Sequence, residues 1–452
     1  MATRQGPRAI PSDQALTNAA GPPEPAARAS VADTLRVAAQ VLLPTLAGGV
    51  IKRRPRAMGL AQKLRADRPA VDELRRLRRR YGARPLRLRV PGRSVEVVLS
   101  PDEVGVLLAG TPSPFSPDTT EKSAALGHFQ PHGVLISDGH ERAVRRKVNE
   151  AVLEPGRAIH ELAGPWARVL HELAVPMLDR TLDWDTFTVH WWRAVRRVVL
   201  GGDTAEDREL TDLLERLRLD ANWAYLHPRR GETRRRFLDL VRRQVGLARP
   251  ESLAAALAAV PDNGETDPPG QLPHWLFAFD AAGMVTFRTL ALLATHPDRL
   301  AEVRDELAGL DLTQPQQLPA LRASVLESVR LWPTTPALLR ESRTATEWGR
   351  DRTTFFIYTP YFHRDPDQLP YANRFEPAIW LDGRAADNPA LVPFSAGPGA
   401  CPGRDLVLFP TSMLLANLLQ AHDFHLHGAT LTPGQLPLTL DNFGLSFDVV
   451  AR

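Results

Sequence analysis

Residues 393–409 read Pro-Phe-Ser-Ala-Gly-Pro-Gly-Ala-Cys-Pro-Gly-Arg-Asp-Leu-Val-Leu-Phe, and the reading of this stretch decides the fold. Glycines at 397, 399 and 403 with Pro398 and Pro402 fix a tight backbone, and helix-forming sequence starts just after. Cys401 is the only cysteine in 452 residues. The chain therefore forms no internal disulfide, no zinc site with two thiolates and no cysteine-held iron–sulfur cluster. Backbone N–H groups at a helix start lower a thiol's pKa and stabilise its thiolate. Three readings stay open on this stretch. Cys401 is a buried structural cysteine, or a nucleophile for which nothing nearby supplies a base, or a thiolate that binds a metal cofactor from one side.

Outward from the loop, the pattern is mostly helical. Apolar periodicity predicts helices over 67–81, through much of 138–247, and over 273–295, 297–307, 319–332 and 406–420. Strand-like runs occupy 86–90, 94–99 and parts of 337–358, and 436–450 alternates like a hairpin. Forty prolines, near twice the usual share of ~5%, predict stiff loops between helices. The fold class is mostly α with small β regions. The first thirty residues are rich in Pro, Ala and Gly and lack an apolar core, and the run 37–51 is broken by Pro44. That run falls short of the ~20 residues a spanning helix needs. We expect a flexible tail over 1–33 and one domain over 34–452, without a membrane anchor, in a reducing, cytoplasmic setting. The net charge of +4 does not imply nucleic acid, and the arginine clusters 75–80 and 234–236 lack interleaved aromatics.

Four further constellations carry chemistry. Glu327-Ser-Val-Arg330 places an ion pair at i,i+3 on an apolar helix, with Arg374-Phe-Glu-Pro377 and Trp380 downstream. Ala282-Gly283-Met284-Val285-Thr286-Phe287 sits in the long apolar helix, with Gly283 and Thr286 on one face and Phe279 and Leu290 extending it. Arg340 follows Leu338-Leu339. Asp138-Gly-His-Glu-Arg-Ala-Val-Arg-Arg146 opens another helix.

In this order the marks resemble the cytochrome P-450 superfamily. Phe394, Gly397, Cys401 and Gly403 are similar to its heme-ligand loop, Phe-x-x-Gly-x-[Arg/His]-x-Cys-x-Gly, and Gly399 stands where the family has Arg or His on a heme propionate. The resemblance implies heme b between a long distal helix and a proximal cysteine loop, with Cys401 as axial ligand of the iron. It implies Glu327, Arg330 and Arg374 as a buried structural network. Gly283 would make room for dioxygen and Thr286 would donate a hydrogen bond, with Val285 where the family has an acid. It also implies Arg340 on one propionate. On the other propionate the spacing pairs His140 with Val144 or Arg142 with Arg146, and we take His140 and Arg146 as the residues reaching the heme edge. Segments lining the family's pocket read here as Phe115, Phe279, Ala282, Phe287, Pro336, Ala337, Leu338 and Phe443, an apolar set suited to a lipophilic small molecule.

The activity implied is monooxygenation with electrons from an external ferredoxin and its reductase, because no flavin or ferredoxin motif is present. Arg145 and Lys147 are candidates for a basic docking face. An arginine-rich, lysine-poor composition fits secondary metabolism in a GC-rich bacterium. Two alternatives follow from Val285 and Gly399: a peroxygenase or other atypical heme-thiolate enzyme, and a heme protein that binds without turnover.

Overall fold

The computed structural model describes residues 26–224 and 226–452. Helix α1 (Val31–Val37) is capped by Ser30, whose side chain accepts from the Asp33 N–H. It begins inside the segment expected to be a tail, and the reason is packing. Ala29 and Asp33 are fully buried, Ala29 N–H donates to Arg87 O at 2.9 Å, and Asp33 accepts from Tyr81 at 2.7 Å and from Arg76. Residues 1–25 of that expected tail lie outside the described residues. Helix α2 (Asp67–Tyr81) buries Ala70, Val71, Leu74 and Leu77 along one stripe and stops at Gly82.

Strands β1 (Leu86–Arg87), β2 (Ser94–Val97) and β3 (Phe115–Ser116) follow, then helices α3 (Thr120–Leu126), α4 (Gly139–Leu153) and α5 (Ala163–Ala174). Next come β4 (Thr181–Asp183), α6 (Trp184–Leu200) and α7 (Glu209–Ala221).

The centre is α8 (Leu272–Thr295), 24 residues buried on nearly every side. It belongs to Pro269–Thr295, a stretch long and apolar enough to cross a membrane, but 83% of its apolar window is inside the protein. It is a core helix. Pro297 ends it and opens α9 (Pro297–Leu307). Helix α10 (Pro319–Leu331) packs against α8. Strands β5 (Ala337–Ser342) and β6 (Thr353–Tyr358) form a hairpin with Leu338 opposite Ile357 and Arg340 opposite Phe355. Helix α11 (Arg404–Leu419) starts at the cysteine loop and packs against α5, α8 and α10.

Strand β7 (His422–His427) and strand β8 (Ser446–Ala451) end the chain. One sheet has the order β1-β2-β6-β5-β3, with β2 and β6 parallel; the other is β4-β8-β7. The hairpin expected within 436–450 is absent. Its only regular strand there is β8, which pairs with β7 and β4 instead, after a 3-10 turn at Asn442–Gly444.

Candidate active site

The cysteine loop closes on itself. Cys401 N–H donates to Phe394 O at 2.8 Å, Ala400 N–H to Gly397 O at 2.9 Å, and Val407 N–H to Gly403 O at 2.9 Å as α11 begins. Gly397 has φ +62°, and a Cβ there would lie 2.4 Å from Leu108 O, so only glycine fits. From α4, Arg146 donates to Ala400 O at 2.8 Å while pairing with Glu150 at 2.5 Å. Burial pushes the Cys401 thiol up, with the Gly403 N–H and Arg146 pulling it down less strongly. That environment does not favour an activated nucleophile. A bound cation would keep it ionised.

Beside the loop stand two buried guanidinium groups. Arg340, 3% exposed, donates to Thr111 Oγ1 at 2.8 Å, Leu339 O at 3.0 Å and Ser395 Oγ at 3.2 Å. Burial, with Arg142 adding to it, pushes Arg340 down to about 10. Arg142, also buried, donates to Val134 O at 3.2 Å. Neither has a carboxylate partner among the described residues. Buried cations without an anion are costly unless a ligand supplies the charge. This arrangement fits the carboxylates of a heme, and the thiol fits its iron.

The register of α4 corrects one expectation. His140 is exposed and touches Glu265 at 3.3 Å, because the inward stripe of the helix is Arg142, Arg145, Asn149 and Val152. Arg142 turns inward, and Arg146 reaches the loop backbone rather than the helix interior. The 3.6-residue period shared with Val148 and Val152 was the available signal.

On α8, Thr286 is fully buried and its hydroxyl donates to Ala282 O at 2.9 Å. Gly283 faces Trp191. A Cβ there would lie 2.8 Å from Trp191 Nε1, and that indole donates to Phe279 O at 2.9 Å, so the glycine makes room for a tryptophan of α6. Asp280 is occupied by Arg218 at 2.7 Å and Lys52 at 3.4 Å; burial pushes it up, but the two cations outweigh this and hold it at about 2. Arg288 ends on Trp332 O at 3.0 Å and Asn442 Oδ1 at 2.8 Å.

The expected pocket residues divide. Phe279 and Ala282 are buried on α8, while Phe287 and Phe443 join Trp184 at 5.6 and 5.2 Å between ring centres. Ala337 and Leu338 sit at the start of β5 against the core of the five-stranded sheet. Phe115 lies in that core, stacked on Trp348 at 5.6 Å, and does not join Phe279.

Glu327 and Arg330 are both fully buried and pair at 2.6 Å. Arg330 also donates to the carbonyls of His363, Ala372 and Arg374 at 2.8 to 3.0 Å. Glu327 accepts from Glu376 N–H at 2.8 Å and Trp380 Nε1 at 3.0 Å. The expected role of Arg374 is corrected: it contributes a carbonyl only, its side chain is exposed, and Trp380 is the side chain on Glu327.

Residues 278–440 match the family profile described as Cytochrome P450. Among curated proteins, the chain is 30% identical over 291 residues to a cyclooctat-9-en-7-ol 5-monooxygenase of Streptomyces melanosporofaciens, covering 59% of this chain and 61% of that protein. It is 27% identical over 215 residues to a drimenol monooxygenase of Persicaria hydropiper, covering 42% and 41%. The alignments thus span about two fifths to three fifths of these relatives. Among solved structures, retinoic acid bound cyanobacterial CYP120A1 superposes with TM-score 0.68 at 18% identity, over 84% of this chain and 94% of that one. The cytochrome P450 CYP102L1 gives 0.69 at 18% identity, over 96% and 100%. At such identity the likeness is one of fold.

Proposed function

We propose that the chain is a member of the cytochrome P450 superfamily and, from that premise, a heme-thiolate monooxygenase inserting one oxygen atom from O2 into a lipophilic small molecule. The observation that carries this reading is the juxtaposition of a lone half-buried thiol at a helix start, in a loop that Arg146 and Arg340 contact, with the buried Arg340 and Arg142, which have no carboxylate partner among the described residues. In this reading Cys401 holds the iron of heme b, Arg340 and Arg142 hold its carboxylates, and Phe394, Gly397 and Gly403 shape the loop beneath it. When bound, the heme supplies the redox chemistry of O2 activation, and a thiolate ligand favours O–O cleavage.

The protein residues supply order and protons. The Thr286 hydroxyl spends its proton on Ala282 O at rest, and rotation about χ1 turns it toward an acceptor near α8. Asp280 is engaged by Arg218 and Lys52, so protons would reach Thr286 through water or from a carboxylate on another segment. The apolar surroundings of Phe279 and Ala282 exclude water. Two relatives are named for cyclooctat-9-en-7-ol and drimenol, and lipophilic alcohols of that kind are the first candidates to screen. Electrons come from a ferredoxin and its reductase, in a cytoplasmic enzyme of secondary metabolism.

The test is the carbon monoxide difference spectrum of the dithionite-reduced protein beside Cys401→Ala. A strongly red-shifted Soret band that the variant loses is the expected result; a band at the imidazole-ligated position, or no heme, overturns the reading. Val285 favours a second reading, a peroxide-using enzyme. Turnover with peroxide and no gain from ferredoxin selects it. In a monooxygenase, Thr286→Ala diverts electrons to peroxide, whereas a protein that only binds heme is indifferent.

A further inference from the structure

Lys122 lies on α3, outside every segment singled out in the sequence, yet its ammonium turns inward. Nζ donates to Pro117 O at 2.7 Å and to Leu339 O at 3.0 Å. Arg340 Nη1 donates to the same Leu339 carbonyl at 3.0 Å. Two positive charges therefore share one neutral acceptor. The acids nearest Lys122 are engaged elsewhere, Asp118 by Ser123 and Arg343, and Glu121 by Arg93 at 2.6 Å. Burial, then Arg340, lower the ammonium's affinity for its proton; Asp118 opposes them without outweighing them, and Arg142 adds to the lowering more weakly. Among the described residues, Lys122, Arg142 and Arg340 have no carboxylate within ion-pair distance. An anion brought from outside the chain would stabilise cations gathered in this way.

Position 399 explains why a lysine is needed there. A Cβ on Gly399 would meet Arg340 Nη2 at 3.0 Å and Thr111 Cγ2 at 2.9 Å. The Arg340 guanidinium fills the space that a basic side chain two residues before the cysteine would use. Building on the heme-thiolate reading, we propose that Lys122 is a further ligand of the heme carboxylates, acting beside Arg340 in place of the basic residue that Gly399 lacks. The glycine and the inward lysine are two halves of one arrangement: the first admits Arg340, the second restores the missing charge.

The experiment compares heme-loaded wild type, Lys122→Met and Lys122→Arg in transfer of heme to a scavenger apoprotein and in reduction potential. We expect Lys122→Met to lose heme roughly tenfold faster or more, the scale of one hydrogen bond to a charged group. Its potential should shift to more negative values because a cation beside the heme is gone, and Lys122→Arg should restore both. A lysine that merely tethers Pro117 to Leu339 would leave the potential in place, and that result overturns the proposal, as does unchanged heme transfer. Wild type that carries no heme defeats the underlying reading and this one with it. Wild type with heme and an indifferent Lys122→Met defeats this one alone.

Discussion

Glu327 shows how much depends on individual hydrogen bonds when a charge is removed from water. Its carboxylate is shared by Arg330, the Glu376 N–H and the Trp380 indole. Glu327→Gln strands a buried guanidinium and should cost about 3–5 kcal/mol. Trp380→Phe removes one bond to a charged acceptor, about 1.5–3 kcal/mol. Arg374→Ala should stay within about 0.5 kcal/mol, as for an exposed side chain without a hydrogen-bond or ion-pair partner among the described residues. Urea midpoints of the three heme-loaded variants check the order, and an Arg374→Ala loss equal to that of Glu327→Gln would contradict it. The Glu327–Arg330 pair was legible because helical spacing alone dictates it. The rest of the network was not, because Arg330 is satisfied by carbonyls of His363, Ala372 and Arg374, and a backbone acceptor leaves no trace in residue type. His140 stands off the stripe that Val148 and Val152 define on α4, and Arg142 lies on it, so the apolar period rather than nearness to the motif marks the inward residue.

At the scale of elements, α8 is held by partners distant in sequence. Gly283→Ala drives a methyl into Trp191, an overpacking cost of about 1–3 kcal/mol, offset by about 1 kcal/mol of helix propensity. In a Trp191→Leu background the clash is gone and the propensity gain remains, so the same substitution should turn neutral or stabilising. Thermal midpoints of the double-mutant cycle read this directly. Asp280 ties α8 to α7 and to Lys52, and its pKa is held at about 2, below the unfolded value. A carboxylate depressed on folding stabilises above its unfolded pKa and loses that contribution as pH falls through the folded one. Its share should therefore fade between about pH 4 and pH 2. Asp280→Asn should lower stability at neutral pH and flatten the acid limb across that window; a limb as steep as wild type's would sink the assignment. The helices expected over 67–81 and 297–307 coincide with Asp67–Tyr81 and Pro297–Leu307, since the glycine stop at Gly82 and the proline start at Pro297 act locally. The pairing of β8 with β4 and β7 was illegible because its partners, Thr181–Asp183 and His422–His427, lie far off in the chain, and alternation names no partner.

For the whole molecule, the net charge of +4 matters less than where exposed charge gathers. Arg146 reaches Ala400 O and Gly156 N–H reaches Asp405 at 2.9 Å, which ties the end of α4 and the turn after it to the cysteine loop and the start of α11; Arg322 of α10 reaches Ala158 O next to that turn. Arg145, expected on that face, is buried against Ser137 at 2.7 Å and Glu141 at 3.0 Å, which leaves Lys147, Arg157 and Arg404 exposed. If, as proposed, Cys401 holds the heme and a ferredoxin is the donor, an acidic donor approaching this face would be steered by Lys147 and Arg404, while Arg157 is already paired with Glu154 at 3.0 Å. Rim charges act on encounter rates more than on the bound state. Reversing two of them, as in Lys147→Glu with Arg404→Glu, should slow reduction by an acidic ferredoxin by roughly one to two decades at low salt. The carbon monoxide spectrum should be unchanged, because neither side chain bonds to the loop or to Arg340. Raising ionic strength should slow wild type toward the variant as the Debye length shrinks to about 3 Å at 1 M. Stopped-flow reduction across a salt series decides the matter: a wild-type rate independent of salt and equal to the variant's would move the docking surface elsewhere.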